Sequence, residues 1–340
     1  MEYRKKLSVI IPVYDTEKYL RRCLESAIRA LPDNSEVLII NDGSPDNSET
    51  IALEFAEKYT SLIRYYKKEN GGRADARNFA LERTQGEYIA FLDSDDYVDE
   101  RMYTELLRVA GEQNAPLAIC DIEMVYGDDR PSHYFSCRSP QFDDAFFQAV
   151  DPPLMTSPCN KIVHKSLYNG ISFPKGMNNE DVAVMPVLYR RAEKIAFVGE
   201  AFYKYFQRPG SYQNSQFGEH RSVIIETARF CIDHLSGDAD PEAIEKTKGT
   251  LYVHHVLGNV LHVMRELGFS DRYKVLKPYI KKAALLLPDL YTNKYVLEMK
   301  ASGTRNWQIY KKTMLFLMKH RLYFMTCLAI TIANIRQRSV

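Results

Sequence analysis

Tyr88-Ile89-Ala90-Phe91-Leu92-Asp93-Ser94-Asp95-Asp96 sets three acids in four positions directly after a short apolar run. Such a run predicts a buried strand, whose carboxylates emerge together at its C-terminal edge, where open α/β sheets place their ligands. Clustered acids repel unless something positive sits among them. Two readings meet that need. One is an acidic turn capping the next helix, since Asp and Ser favour turns and N-caps. The other is a hard divalent cation, Mg²⁺ or Mn²⁺, which takes one or two carboxylates and fills its shell with phosphate oxygens and water.

The neighbouring segments set the fold class. Leu7–Val13 reads as a strand, and over Glu17–Ala30 the residues Leu20, Cys23, Leu24, Ala27 and Ile28 recur at helical spacing. Glu36–Ile40 is a second strand, Asn41-Asp42-Gly43-Ser44-Pro45 a turn, and a helix opens near Asn47. Ile63–Tyr66 is a third strand, followed by a helix over Asp75–Thr84 and the strand Tyr88–Leu92. This alternation predicts an α/β fold: a mostly parallel sheet with helices on both faces and right-handed crossovers. A helix over Asp99–Gln113 then leads to a strand at Leu117–Asp121.

The pattern weakens over Pro131–Pro158, read as a long loop with one helix near Asp143–Val150, and returns as a helix at Glu180–Arg191 and a strand at Ile195–Val198. From about Glu219 the chain reads as helical, over Glu219–Leu235, Pro241–Leu267, Asp271–Leu287 and Trp307–Lys319. Two domains are expected, 1–215 and a helical region 216–340.

At 340 residues and 26% charged the chain has the composition of an ordinary folded protein. Its six cysteines stand singly, with no CxxC pair, as reduced thiols of a cytoplasmic protein do. No apolar leader with a cleavage site precedes Leu7, so a cytoplasmic location is expected. The overall charge of +1 hides an asymmetry. From Lys294 to Val340 there are nine Lys or Arg against Glu298 alone, a net of +8, and the rest of the chain therefore carries −7. Trp307, Tyr310, Phe316, Tyr323 and Phe324 interleave with these cations. That mixture suits an anionic membrane surface better than nucleic acid, which is not expected as a partner. The apolar run Leu322–Ile335 is too short to span a bilayer, which needs about 20 residues; a buried core helix and an interfacial helix both fit it.

Val9-Ile10-Ile11-Pro12-Val13-Tyr14-Asp15, Asn41-Asp42-Gly43-Ser44 and Asp93-Ser94-Asp95-Asp96 put polar groups at three strand ends, which should line one crevice. With Asn70-Gly71-Gly72, Ala76-Arg77-Asn78 and Glu180-Asp181 following in order, the chain from Leu7 to Ser211 resembles the family 2 glycosyltransferases, inverting enzymes of the GT-A fold. The resemblance implies a nucleotide-sugar donor, a UDP-sugar, and a Mn²⁺ or Mg²⁺ cofactor. It implies that Pro12, Val13 and Tyr14 hold the base and that Asp42 accepts from uracil N3–H, as an acceptor-only carboxylate suits an imide donor. Asp93 falls to the donor's ribose or sugar hydroxyls, Asp95 and Asp96 to the metal, and Arg77 and Arg208 to the diphosphate. Arg73 and Arg77 flank the glycine turn, and both are open to a second reading as solvated residues of the helix surface.

Asp181 is implied as the general base that takes a proton from the acceptor hydroxyl, with the acceptor a glycan or lipid-linked glycan of a bacterial surface polysaccharide. A plain alternative for Glu180-Asp181 is a pair of acids favoured in a helix's first turn. Asn160-Lys161 resembles a family pair near the acceptor, and Asp15, where many relatives carry Asn, is expected to cap the following helix. His254, His255 and His262 lack metal-ligand spacing. A nucleotidyltransferase would show a Gly-rich, Lys-containing loop that Pro12 to Glu17 lacks. A non-catalytic sugar-nucleotide-binding or scaffold protein would tend to lose part of the set Asp42, Asp93, Asp95 and Asp181.

Overall fold

The apolar runs become strands of one nine-stranded sheet. The chain, seen in a computed structural model, is described over residues 3–138, 156–177, 179–208, 222–235, 240–258, 260, 264, 267–298 and 305–338. It divides into two compact units, Met1–Ser215 and Gln216–Val340.

In the first unit β1 (Lys5–Val13), β2 (Ser35–Asn41), β3 (Ile63–Lys67) and β4 (Gly86–Phe91) pair in parallel in the order β3-β2-β1-β4. β1 and β2 are buried along nearly their whole length, as unbroken aliphatic runs are when both faces of a parallel sheet are covered. Two helices, α1 (Glu17–Ala30) and α2 (Ser48–Lys58), carry the chain from β1 through β2 to β3, and α3 (Arg73–Leu81) returns it past β1 to β4. Right-handed crossovers then place α1 and α2 on one face and α3 on the other.

The register fixes where these strands end. Val13 lies opposite Asn41 and Ile10 opposite Phe91. The Asp42 N–H donates to the Val13 carbonyl at 3.0 Å, and the Leu92 N–H to the Ile10 carbonyl at 3.0 Å. Tyr14, Asp42 and Asp93 therefore leave the sheet at one edge.

Beyond β4 the sheet is mixed. It contains β5 (Tyr97–Val98), β6 (Leu117–Tyr126), β7 (His133–Phe135), β8 (Lys161–His164) and β9 (Ile195–Gln207), with α4 (Met102–Gln113) after β5 and α5 (Glu180–Ala192) before β9. Antiparallel β8 sits between β4 and β6, while β9 runs parallel to β6 and antiparallel to β5. β6 and β9 extend well past the predicted ends at Asp121 and Val198. Each supplies the other's hydrogen bonds from Leu117↔Ile195 to Tyr126↔Gln207, across an irregularity between Cys120 and Ile122. β8 was not expected, because four residues that include Lys161 and His164 carry too little periodicity to read as a strand. The expected helix at Asp143–Val150 lies outside the described residues.

The second unit is helical: α6 (Val223–Leu235), α7 (Pro241–Leu251) continuing into a π-helical turn at Tyr252–Leu257, α8 (Phe269–Leu286), α9 (Lys294–Glu298), α10 (Arg305–Lys319) and α11 (Tyr323–Arg338). Asp240 caps α7, accepting from the Ala243 N–H at 3.1 Å, with Pro241 in the first turn. The α10–α11 turn closes by a Leu322 N–H bond to the Leu317 carbonyl at 2.8 Å, with Arg321 at φ 56°. That is a left-handed position where helix ends usually carry Gly. Along α11, Thr326, Cys327 and Ile330 are buried while Phe324, Met325 and Leu328 are exposed. No helix among the described residues is long and apolar enough to cross a membrane. All six cysteines are buried and none is in a disulfide.

Candidate active site

Of the three residues implied for the base, Pro12 and Val13 are buried within β1, and only Tyr14, 48% exposed, presents its side chain. The next residue corrects an expectation. Asp15 does not cap α1: it sits at φ 53°, its N–H donates to Ser44 Oγ at 2.9 Å, and Thr16 holds the N-cap position. Asn and Asp are the non-glycine residues that most readily take this left-handed backbone, which accounts for either at this site.

Asp42 is buried and organises the Asn70-Gly71-Gly72 turn. Its Oδ1 accepts from the Gly71 N–H at 3.0 Å and from Lys68 Nζ, and its Oδ2 from the Gly72 N–H at 2.8 Å. One lone pair of Oδ2 is left for a further donor. Lys68 also pairs with Asp75 at 2.6 Å. The turn needs its glycines: a Cβ on Gly71 would lie 2.3 Å from Asp75 Oδ2, and Gly72 has φ +82°.

The acid run after β4 is anchored on several sides. Thr16 Oγ1 donates to Ser94 Oγ at 3.0 Å. Arg22, its guanidinium 4.3 Å from the ring centroids of both Tyr97 and Phe206, donates to the Asp95 carbonyl at 3.2 Å. Asp96 is fully buried, with Oδ1 accepting from the Phe206 N–H at 2.8 Å and Oδ2 from the Tyr203 hydroxyl. Burial, then the charges of Asp95 and Asp93, push its pKa well above the usual carboxylate range. Asp96 is therefore corrected from metal ligand to anchor, since it is enclosed by the protein and ties the loop to β9 through both oxygens.

Asp95 is half-buried, and its Oδ2 lies 2.9 Å from Arg208 Nε. Arg208 also donates to the Asp15 carbonyl at 3.4 Å. Burial first, and then Asp93, raise the Asp95 pKa despite that arginine. A carboxylate whose ionised form is strained by burial and by a neighbouring acid suits a hard cation with oxygen ligands. Among the described residues no cluster of three acids, His or Cys forms an all-protein metal cage, so phosphate or water oxygens would have to complete the shell around Asp95.

Arg77 is the third correction. It is 2% exposed, with Nη1 bonded to Glu180 Oε1 at 2.7 Å and Nη2 to Asp93 Oδ1 at 3.0 Å. Burial would lower its pKa, but Asp93 and Glu180 outweigh that and raise it. A guanidinium enclosed in this way is a strut between the β4 loop and α5, not a free diphosphate ligand. Arg73 Nε reaches the same Glu180 oxygen at 3.1 Å.

Beside Glu180, Asp181 is only partly covered. Its Oδ1 accepts from the Val182 N–H at 2.9 Å and its Oδ2 from Thr156 Oγ1 at 3.3 Å. Burial and then Glu180 push its pKa up to about 6, against the pull of Arg73 and Arg77. Asn160 and Lys161 lie in the core, where Lys161 Nζ donates to Asn160 Oδ1 at 2.5 Å and burial lowers the Lys161 pKa to about 8. His255 is held down to about 3 by burial; His262 lies outside the described residues. Tyr203, Arg22, Lys68 and Thr156 carry no local signal of these roles, because each acts through a partner distant in sequence.

Residues 8–171 match the family described as Glycosyl transferase family 2. The chain is 30% identical over 223 residues to glycosyltransferase GlyG of Streptococcus pneumoniae serotype 4, covering 62% of this chain and 74% of that protein. It is 32% identical over 203 residues to the minor teichoic acid biosynthesis protein GgaB of Bacillus subtilis, covering 58% of this chain and 22% of that protein. The fold is similar to that of S. aureus TarS 1-349, solved in complex with UDP-GlcNAc, with a TM-score of 0.74 at 20% identity over 98% of this chain and 92% of that one. With its parallel β-edge bearing Asp42, Asp93 and Asp95, and Asp181 tied to it through Glu180 and Arg77, this chain belongs to glycosyl transferase family 2 and is a glycosyltransferase.

Proposed function

We propose that the enzyme transfers a sugar from a UDP-sugar to a hydroxyl of a glycan or lipid-linked glycan by direct displacement, with inversion, in the synthesis of a bacterial cell-surface polysaccharide. The observation that carries this reading is the Asp93–Arg77–Glu180 bridge. It fixes the donor-side carboxylates against the first turn of α5, which carries Asp181. Tyr14 and the remaining lone pair of Asp42 serve the uracil, and Asp93 a donor hydroxyl. The teichoic acid role in the name of GgaB and the UDP-GlcNAc bound to TarS support the choice of product class and nucleotide.

Asp95 is the residue that would hold Mn²⁺ or Mg²⁺. Such an ion, when bound, offsets the charge that grows on the departing nucleoside diphosphate. Asp181 accepts the proton of the acceptor hydroxyl as that oxygen attacks the anomeric carbon on the face opposite the leaving group. Its raised pKa makes it a stronger base than an ordinary carboxylate and still leaves it ionised at neutral pH. Arg208, which pairs with Asp95, would balance diphosphate charge.

The test is to incubate the protein with Mn²⁺ and a panel of UDP- and GDP-sugars. Donor hydrolysis, protection against thermal unfolding and the anomeric configuration of the product are then scored. A UDP-sugar should protect, EDTA should abolish transfer, and an α-linked donor should give a β-glycoside. Full transfer in EDTA would overturn the metal assignment, and a retained α-linkage the displacement.

A further inference from the structure

The second unit carries an apolar patch that no described segment covers. Phe324 is 58% exposed, Phe316 57% and Met325 48%, and Phe269, Tyr273, Leu322 and Leu328 are exposed beside them. Two ring pairs tie the helices of this set together. The Phe269 and Phe324 rings meet edge to face at 5.3 Å, and Tyr273 meets Tyr323 at 6.3 Å, which joins the start of α8 to the start of α11. The tight turn from Leu317 to Leu322 brings in the end of α10.

Exposed cations rim the same patch: Lys312 and Lys319 on α10 and Arg321 at the turn. Arg321 occupies a left-handed position that suits Gly or Asn better, so local backbone preference does not explain an arginine there. The exposed acid at the start of α8, Asp271, is paired with Lys274 at 3.1 Å. A soluble monomer does not need so many large apolar side chains together at its surface.

We infer that this patch docks on an anionic lipid bilayer, with Phe316, Leu322, Phe324, Met325 and Leu328 entering the headgroup–acyl boundary and Lys312, Lys319 and Arg321 meeting lipid phosphates. The charges select this occupant. A second copy on this face would bring two sets of the same three cations into one interface, and a neutral apolar partner would leave them unmatched. Aromatic and aliphatic tips inside a basic rim are the pattern of an interfacial element. The buried side of α11 keeps the helix packed in its own unit, so docking requires no unfolding.

The experiment is co-sedimentation of the full chain with phosphatidylcholine vesicles, with and without phosphatidylglycerol. Binding should be at least about tenfold stronger with the anionic lipid and should fall as salt shortens the Debye length. The Lys312→Glu/Lys319→Glu/Arg321→Glu variant should lose about tenfold or more on anionic vesicles. Phe324→Ser/Met325→Ser should weaken binding at all salt concentrations. Both variants alter exposed side chains, so their melting temperatures should match the wild type and their losses cannot be ascribed to unfolding. Binding to neither vesicle, equal binding to both, or unchanged binding by the charge-reversed variant overturns the inference. So does wild-type self-association in light scattering that Phe324→Ser/Met325→Ser abolishes, which would assign the patch to a second copy.

Discussion

In both acidic runs of the first unit one carboxylate is sunk into the protein while its neighbour stays partly open, but the groups that hold the sunk acid differ in kind. Asp96 is held by the Tyr203 hydroxyl and the Phe206 N–H, both neutral. Glu180 is held by two guanidinium groups, those of Arg77 and Arg73. Burial and the charges of Asp95 and Asp93 push Asp96 toward its protonated form against the two donors that hold it, whereas the partners of Glu180 carry positive charge. The first run thus resists carrying all three of its negative charges at one edge of the sheet. The second keeps a fixed counter-charge next to Asp181, which limits how far burial can raise that residue's pKa.

Arg77→Met attacks the charged arrangement most directly, because it leaves Glu180 and Asp93 without their shared partner. Removing one member of a buried ion pair costs about 3–5 kcal/mol, to be read from urea unfolding. A loss below about 1 kcal/mol would erase the contrast drawn here. Next in size is Asp181→Asn, expected to lower turnover about 10²-fold or more while donor affinity and stability hold, because only proton removal is lost. Normal turnover by this variant would move the base elsewhere.

The pH profile sharpens the same point. A base must be ionised to act, so kcat/KM should fall about tenfold per pH unit as pH drops below about 6, the raised value for Asp181. The limb should vanish in Asp181→Asn; a limb near pH 4, where an ordinary carboxylate titrates, would mean that burial does not set its basicity. The smallest effect belongs to the neutral pocket. Asp96→Asn replaces an acid that burial already pushes toward its protonated form, and the melting temperature should report a change below about 1 kcal/mol. Glu180→Gln should be costlier in stability than Asp96→Asn, yet milder in turnover than Asp181→Asn.

What could be read in advance follows from the range of each interaction. The strand Tyr88–Leu92 and the helix with Leu20, Cys23, Leu24 and Ala27 on one face announce themselves through local periods. The motif acids Asp42, Asp93, Asp95 and Asp181 stand out by type and order. Internal partners do not. Arg77 meets Glu180 across 103 residues, and Tyr203 meets Asp96 across 107. Without those contacts an arginine beside a glycine turn reads as a phosphate ligand, and a third acid in a run reads as a metal ligand. β9 is missed past Val198 because Gly199 and Glu200 interrupt its apolar pattern, while its pairing with β6 carries it on to Gln207.

The burial of the six thiols makes the native chain its own background for site-specific chemistry. Alkylation proceeds through the thiolate, and burial raises the pKa of Cys23, Cys120, Cys137, Cys159 and Cys231, with Cys137 pushed up to about 12. Cys327 is buried and raised as well. A cysteine introduced at exposed Met325 should therefore react with a maleimide far faster than any native one. A polarity-sensitive dye could be placed on α11 without first removing a single cysteine from the core.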